Sequence, residues 1–139
     1  LGHCECVGIH FCDDTAVNLS AQLYQEFIRP CNEKLLQHFG GGMLHSCGKN
    51  DHLHEIWQEM DCVKGIELNP YQVDILAAKR KFGNKVISTC AGPIPGEDFD
   101  ARVNKNLEFL KMGGSVLYCP REEKLLIALK RQVGETVRL

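Results

Sequence analysis

In the run Leu44-His45-Ser46-Cys47, two residues of metal-binding type stand two positions apart. Side chains alternate along a β-strand, so His45 and Cys47 point the same way and can hold one cation between an imidazole nitrogen and a thiolate sulfur. That donor pair suits zinc, a borderline-soft ion without redox chemistry of its own. A catalytic zinc takes three protein ligands and keeps a fourth position exchangeable. Cys119 closes the apolar run Val116-Leu117-Tyr118, where the last strand of a barrel would deliver a side chain to the site, and is the expected third ligand. Glu67 lies between Ile66 and Leu68; when those two face covering helices, its carboxylate faces the other way, as a fourth ligand or a base. Asp13 and Asp14, after the first apolar run, are candidates to orient a substrate or to hydrogen-bond His45.

A scaffold able to gather these residues is written in the alternation of short apolar runs with amphipathic segments. Strands are expected at Val7 to Cys12, Met43 to Cys47, Val63 to Leu68, Lys85 to Thr89 and Gly114 to Tyr118. Between them, Ser20 can cap a helix running to Phe39, disturbed at Pro30 and stopped by the glycines at 40, 41 and 42. Further helices are expected from Leu53 to Met60, from Asn69-Pro70 to Phe82, from Asp98 to Met112 and from Arg121 to Val133. Five strand–helix units with short connections point to an α/β fold with parallel strands joined by right-handed crossovers. No Gly-x-Gly-x-x-Gly turn joins a first strand to a helix, so a partial TIM (β/α)8-type barrel is favoured over a doubly wound sheet. In both architectures ligands bind at the C-terminal ends of the strands, where the polar residues above are placed.

The chain of 139 residues is 44% hydrophobic and 24% charged, enough for one globular domain with its own core. Its formal charge of −2 is spread along the sequence, which leaves no basic patch for nucleic acid. No run approaches the ~18 apolar residues of a membrane span, and the first residues lack a signal-peptide pattern, so a cytoplasmic setting is expected. In that setting eight cysteines read as packing residues or ligands rather than as a disulfide framework. With Leu as residue 1, residues 1–139 are read as one domain within a longer chain.

The residues Cys12-Asp13-Asp14, Asn18-Leu19-Ser20, Tyr24, Glu26-Phe27 and Pro30, followed by His45-Ser46-Cys47-Gly48, resemble the C-terminal portion of the corrinoid-linked methyltransferases of the uroporphyrinogen decarboxylase superfamily. The resemblance covers essentially the whole chain as the last βα units of the barrel. It implies a zinc held by His45, Cys47 and a distant cysteine matched by Cys119, with Glu67 like the acidic residue at the exchangeable site. It also implies a small thiol such as coenzyme M as acceptor, a methyl-corrinoid on a corrinoid protein as donor, and the missing N-terminal barrel half or a second copy to close the barrel. Tyr118 departs from the family's usual glycine before the last cysteine, and Cys90 is the rival third ligand. Two other readings stay open: a metal-free decarboxylase-like lyase working through carboxylates, and a non-catalytic barrel fragment with a structural metal site.

The remaining residues have plainer readings. His10-Phe11-Cys12 repeats the His-x-Cys spacing but, lying inside a strand, is read as core. Cys31 and Cys62 are read as packing residues, Cys4 and Cys6 as part of a frayed start, and His38, His52 and His54 as surface groups. Leu53, Ile56 and Trp57 have the helical spacing of core residues.

Overall fold

The computed structural model describes residues 8–118 and 123–133. Strands β1 (Ile9–Cys12), β2 (Gly42–Ser46), β3 (Val63–Leu68), β4 (Val86–Cys90) and β5 (Ser115–Tyr118) form one sheet in the order β1-β2-β3-β4-β5. Every neighbouring pair is parallel. In a doubly wound sheet the strand order reverses at a switch point; here each crossover steps to the next position in the same direction. The fold is therefore α/β with the sequential strand order of a partial (β/α) barrel.

The helical elements are a 3₁₀ segment at Asp14–Asn18, α1 (Ala21–Leu23), a π turn at Tyr24–Ile28, α2 (Arg29–His38), a 3₁₀ turn at Asp51–Leu53, α3 (His54–Glu59), α4 (Ile75–Phe82), α5 (Phe99–Lys111) and α6 (Glu123–Val133). Ser20 caps the first as expected, its Oγ accepting from the Leu23 N–H at 3.2 Å. Pro30 cannot donate a backbone hydrogen bond, and the chain widens just before it, with the Arg29 N–H reaching back five residues to the Tyr24 carbonyl. Helix α2 stops at Gly40 and Gly41, whose φ angles of 75° and 114° lie where residues with a Cβ rarely go. Among the described residues, no helix is long and apolar enough to cross a membrane.

One expected helix start is displaced. Asn69 does not cap α4; its Oδ1 accepts from the Tyr71 N–H at 3.0 Å and folds the chain into a turn. The cap is Asp74, whose Oδ1 takes the N–H groups of Leu76 and Ala77 at 3.0 and 3.1 Å. A carboxylate meeting two free N–H groups at a helix start serves that end better than the Asn-Pro pair five residues earlier.

The two faces of the sheet differ. On one, Leu44, Ile66, Leu68 and Ile87 pack with Leu36, Trp57, Phe82 and Phe109 from the helices. A second cluster, Ala91, Val103, Leu107, Leu125 and Leu129, covers the β4–β5 end. Burying each large side chain here contributes roughly 1.5–3 kcal/mol. The other face carries His10, Cys12, Met43, His45, Glu67, Ser88, Val116 and Tyr118, none of which belongs to either apolar cluster. This polar face corresponds to the interior of the barrel.

His54 corrects another expectation: it is 3% exposed, not a surface group. Its ring lies 4.9 Å from that of Phe82 and 5.9 Å from that of Trp57, and Nε2–H donates to Asn50 Oδ1 at 2.8 Å. Helix α3 is short, and His54, one turn before Trp57 and Gln58, is drawn into the core by the same face that buries the tryptophan. Burial disfavours the charged ring and lowers its pKa to about 4, an effect that nearby Asp51 only partly offsets. The unfolded chain takes up this proton at about pH 6.5 and so binds more protons between there and pH 4. His54 thus favours the folded state fully above pH 6.5, and this contribution is lost as the pH falls towards 4. Between pH 7.5 and 5 the loss should be ~2 kcal/mol. Urea melts at the two pH values should show it in the wild type and not in His54→Gln; equal pH dependence in both would rule His54 out as the source.

Candidate metal centre

The pairing of three strands sets the site. Cys12 on β1 lies opposite His45 on β2, and His45 lies opposite Glu67 on β3. Adjacent strands are about 4.8 Å apart, so the three side chains leave the open face as one row. His10 stands two residues before Cys12 on that face, and Cys47 follows the end of β2. Asp14 begins the single 3₁₀ turn after β1, bending back over the strand ends.

His45 is the hub. Its Nε2 lies 2.9 Å from Cys47 Sγ and 3.7 Å from Asp14 Oδ1. Its Nδ1 faces Glu67 Oε1 at 3.4 Å. The other Glu67 oxygen lies 3.0 Å from His10 Nε2, and the Tyr118 phenol stands near the same carboxylate. Asp14 Oδ1 accepts the Cys47 backbone N–H at 2.8 Å, tying the turn after β1 to the end of β2. One tautomer satisfies this network: Nδ1–H directed at Glu67, with Nε2 free to accept from the thiol.

Burial, then the negative charge of Asp14 and a hydrogen bond to it, push the Cys47 thiol above its ordinary pKa, with smaller contributions from Cys12 and Glu67. Burial and the Glu67 carboxylate likewise hold the Tyr118 phenol above its usual range. Acidic and thiol groups thus crowd one spot, which a divalent cation would relieve by favouring their anionic forms. Donor atoms of Cys12, Asp14 and His45 all lie within 4.8 Å of one another, as do those of His10, His45 and Glu67. The first group combines nitrogen, sulfur and carboxylate oxygen; Cys47 belongs to neither group, but its sulfur lies 2.9 Å from the shared imidazole. Nitrogen, sulfur and carboxylate oxygen are donors of the kinds that zinc takes.

The residues singled out by sequence separate clearly. His45 and Cys47 meet. Glu67 joins them at the ring nitrogen opposite the thiol, the place from which a carboxylate orients a metal-bound histidine. Of the two aspartates, Asp14 reaches the site, whereas Asp13 is buried and accepts from Tyr24 Oη at 3.0 Å and Asn32 Nδ2 at 2.7 Å. Cys119 lies outside the described residues, as do Cys4, Cys6 and Val7. Cys90, at the end of β4, takes the Gly92 N–H on its sulfur at 3.3 Å and enters neither ligand group. The five described cysteines are free thiols.

His10 and Cys12 are not core. Both are exposed on the barrel-side face, because Ile9 and Phe11 take the helix-side positions of β1. The alternation Ile-His-Phe-Cys carried that signal: two apolar residues on one face leave the histidine and cysteine on the other. Tyr118, which in the sequence stands only as a departure from a family pattern, is on the same face near Glu67. No family model, curated protein or solved structure matches this chain.

Proposed function

We propose that the protein is the metal-binding part of a zinc-dependent methyltransferase that moves a methyl group from a methyl-corrinoid to a zinc-activated thiol. The observation that supports this most is the 2.9 Å approach of His45 Nε2 to Cys47 Sγ at the C-terminal end of β2, with Glu67 on the opposite ring nitrogen. The donor and the thiol class rest on the family resemblance, and the thiol-rich, strand-end site is what such chemistry needs.

When bound, zinc holds a small thiol as its thiolate at neutral pH and so prepares the nucleophile. Glu67 keeps the proton on Nδ1 and presents Nε2 as a lone-pair donor. His10 holds that carboxylate in place. Asp14 fixes the backbone of Cys47 and with it the direction of the sulfur. Cys12, Asp14 and Cys47 are exposed, which favours a site open to an exchangeable ligand over a closed structural one. Two cysteine sulfurs near the shared histidine favour it over a metal-free lyase. Further barrel strands, from a longer chain or a second copy, would cover the polar face and carry surfaces for the corrinoid protein.

The test is transfer from methylcobalamin to 2-mercaptoethanesulfonate, followed through the cobalamin spectrum with zinc-loaded and metal-stripped protein. Zinc-dependent demethylation of the donor is expected; a rate equal to that without protein would contradict the proposal. Glu67→Gln should keep one zinc per chain while weakening its affinity about 10–100-fold, the usual effect of losing a carboxylate behind a metal-bound histidine. Loss of all zinc binding in that variant would instead make Glu67 a ligand.

A further inference from the structure

We propose that Cys12 is a ligand of the same metal, beside His45 and Cys47. The proposal rests on the metal site described above but not on methyl transfer. Cys12 is the residue opposite His45 across the β1–β2 pair, and the two share the barrel-side face. The backbone therefore holds them one strand spacing apart, about 5 Å, whatever the surrounding side chains do.

The thiol is exposed and free, and its sulfur lies with His45 and Asp14 in a group whose donor atoms are all within 4.8 Å of one another. Ligand atoms around a tetrahedral zinc, bonded at about 2.0–2.3 Å, are somewhat closer than that, so Cys12, His45 and Asp14 must draw in slightly, and Cys47, outside that group but 2.9 Å from His45 Nε2, with them. Cys90 is worse placed: β4 stands two strand spacings from β2, about 10 Å in the sheet. Its sulfur is already engaged by the Gly92 N–H. A His45–Cys47–Cys12 set has two thiolates and one imidazole. The Asp14 carboxylate, anchored through its hydrogen bond from the Cys47 N–H, lies beside this set.

Cobalt(II) reports on this directly, because each bound thiolate adds to a near-ultraviolet charge-transfer band. In the full chain loaded with cobalt, Cys12→Ser should lower the band by about half and weaken cobalt binding at least ~100-fold, while Cys90→Ser changes neither. A wild-type band in Cys12→Ser would overturn the assignment. If Cys47→Ser alone loses the band, the His45–Cys47 site stands and only Cys12 falls; no band in the wild-type chain would overturn both. A second readout needs no variant: peptide mapping after alkylation should show Cys12 protected by one equivalent of zinc in the wild-type chain, and equal labelling with and without zinc would overturn the proposal.

Discussion

Replacing Cys47 by alanine should weaken zinc binding by about 10³-fold and abolish thiol methylation, with the fold intact. The size follows from the share of one ligand in a site whose total binding energy is on the order of 10–16 kcal/mol, roughly 4 kcal/mol for each of three or four ligands. Cys47 is exposed and lies beyond the end of β2, so its removal leaves no cavity in the core. Its thiol faces His45 Nε2 at 2.9 Å and Asp14, both in the site rather than the core, and its backbone N–H keeps the bond to Asp14. Competition with a chromophoric chelator measures the affinity, and circular dichroism checks the fold. Cys90→Ala is the control, expected to bind zinc as the wild type does, because its sulfur contacts the Gly92 N–H and not the site. Unchanged zinc affinity in Cys47→Ala would remove the pair from the metal site.

The adjacent aspartates should respond in opposite ways. Asp13→Ala removes the acceptor for two buried donors, Tyr24 Oη and Asn32 Nδ2, which lie 2.9 Å from each other and would be left with only that mutual bond. Tyr24 is fully buried, and its phenol is held far above its ordinary pKa by burial first and then by the Asp13 charge. Breaking such a network costs about 3 kcal/mol, a large fraction of a domain's stability. Asp14→Ala touches an exposed side chain and should change stability by no more than about 0.5 kcal/mol, while weakening zinc binding through the freed Cys47 backbone. Urea melts and zinc titrations on both variants separate the two roles. Equal destabilisation by both would mean that the Tyr24–Asn32 network does not depend on Asp13.

Strand identity was legible because apolar runs such as Val63 to Leu68 and the turn glycines at 40 and 41 leave few alternatives. The sequential strand order follows from short crossovers of one hand. Less legible was anything decided by which face a short element turns inward. His54 and Trp57 sit on one face of a helix too short to show a clear period, so the histidine passed for a surface group. Asn69-Pro70 carries a helix-start composition, yet a turn and Asp74 intervene. Asp13 and Asp14 are the same residue type side by side, and only the 3₁₀ turn that follows decides which enters the core. His10 and Cys12 lie within a strand, a position that reads as core, although the middle of a barrel strand also faces the interior.

The most direct measurement is X-ray absorption at the zinc edge of the wild-type chain carrying one equivalent of the metal. The expected result is a mixed shell, with sulfur at about 2.3 Å from Cys47 and Cys12 and nitrogen at about 2.0 Å from His45. A shell of nitrogen and oxygen alone, or failure of the chain to retain zinc, would contradict a metal centre built on His45 and Cys47.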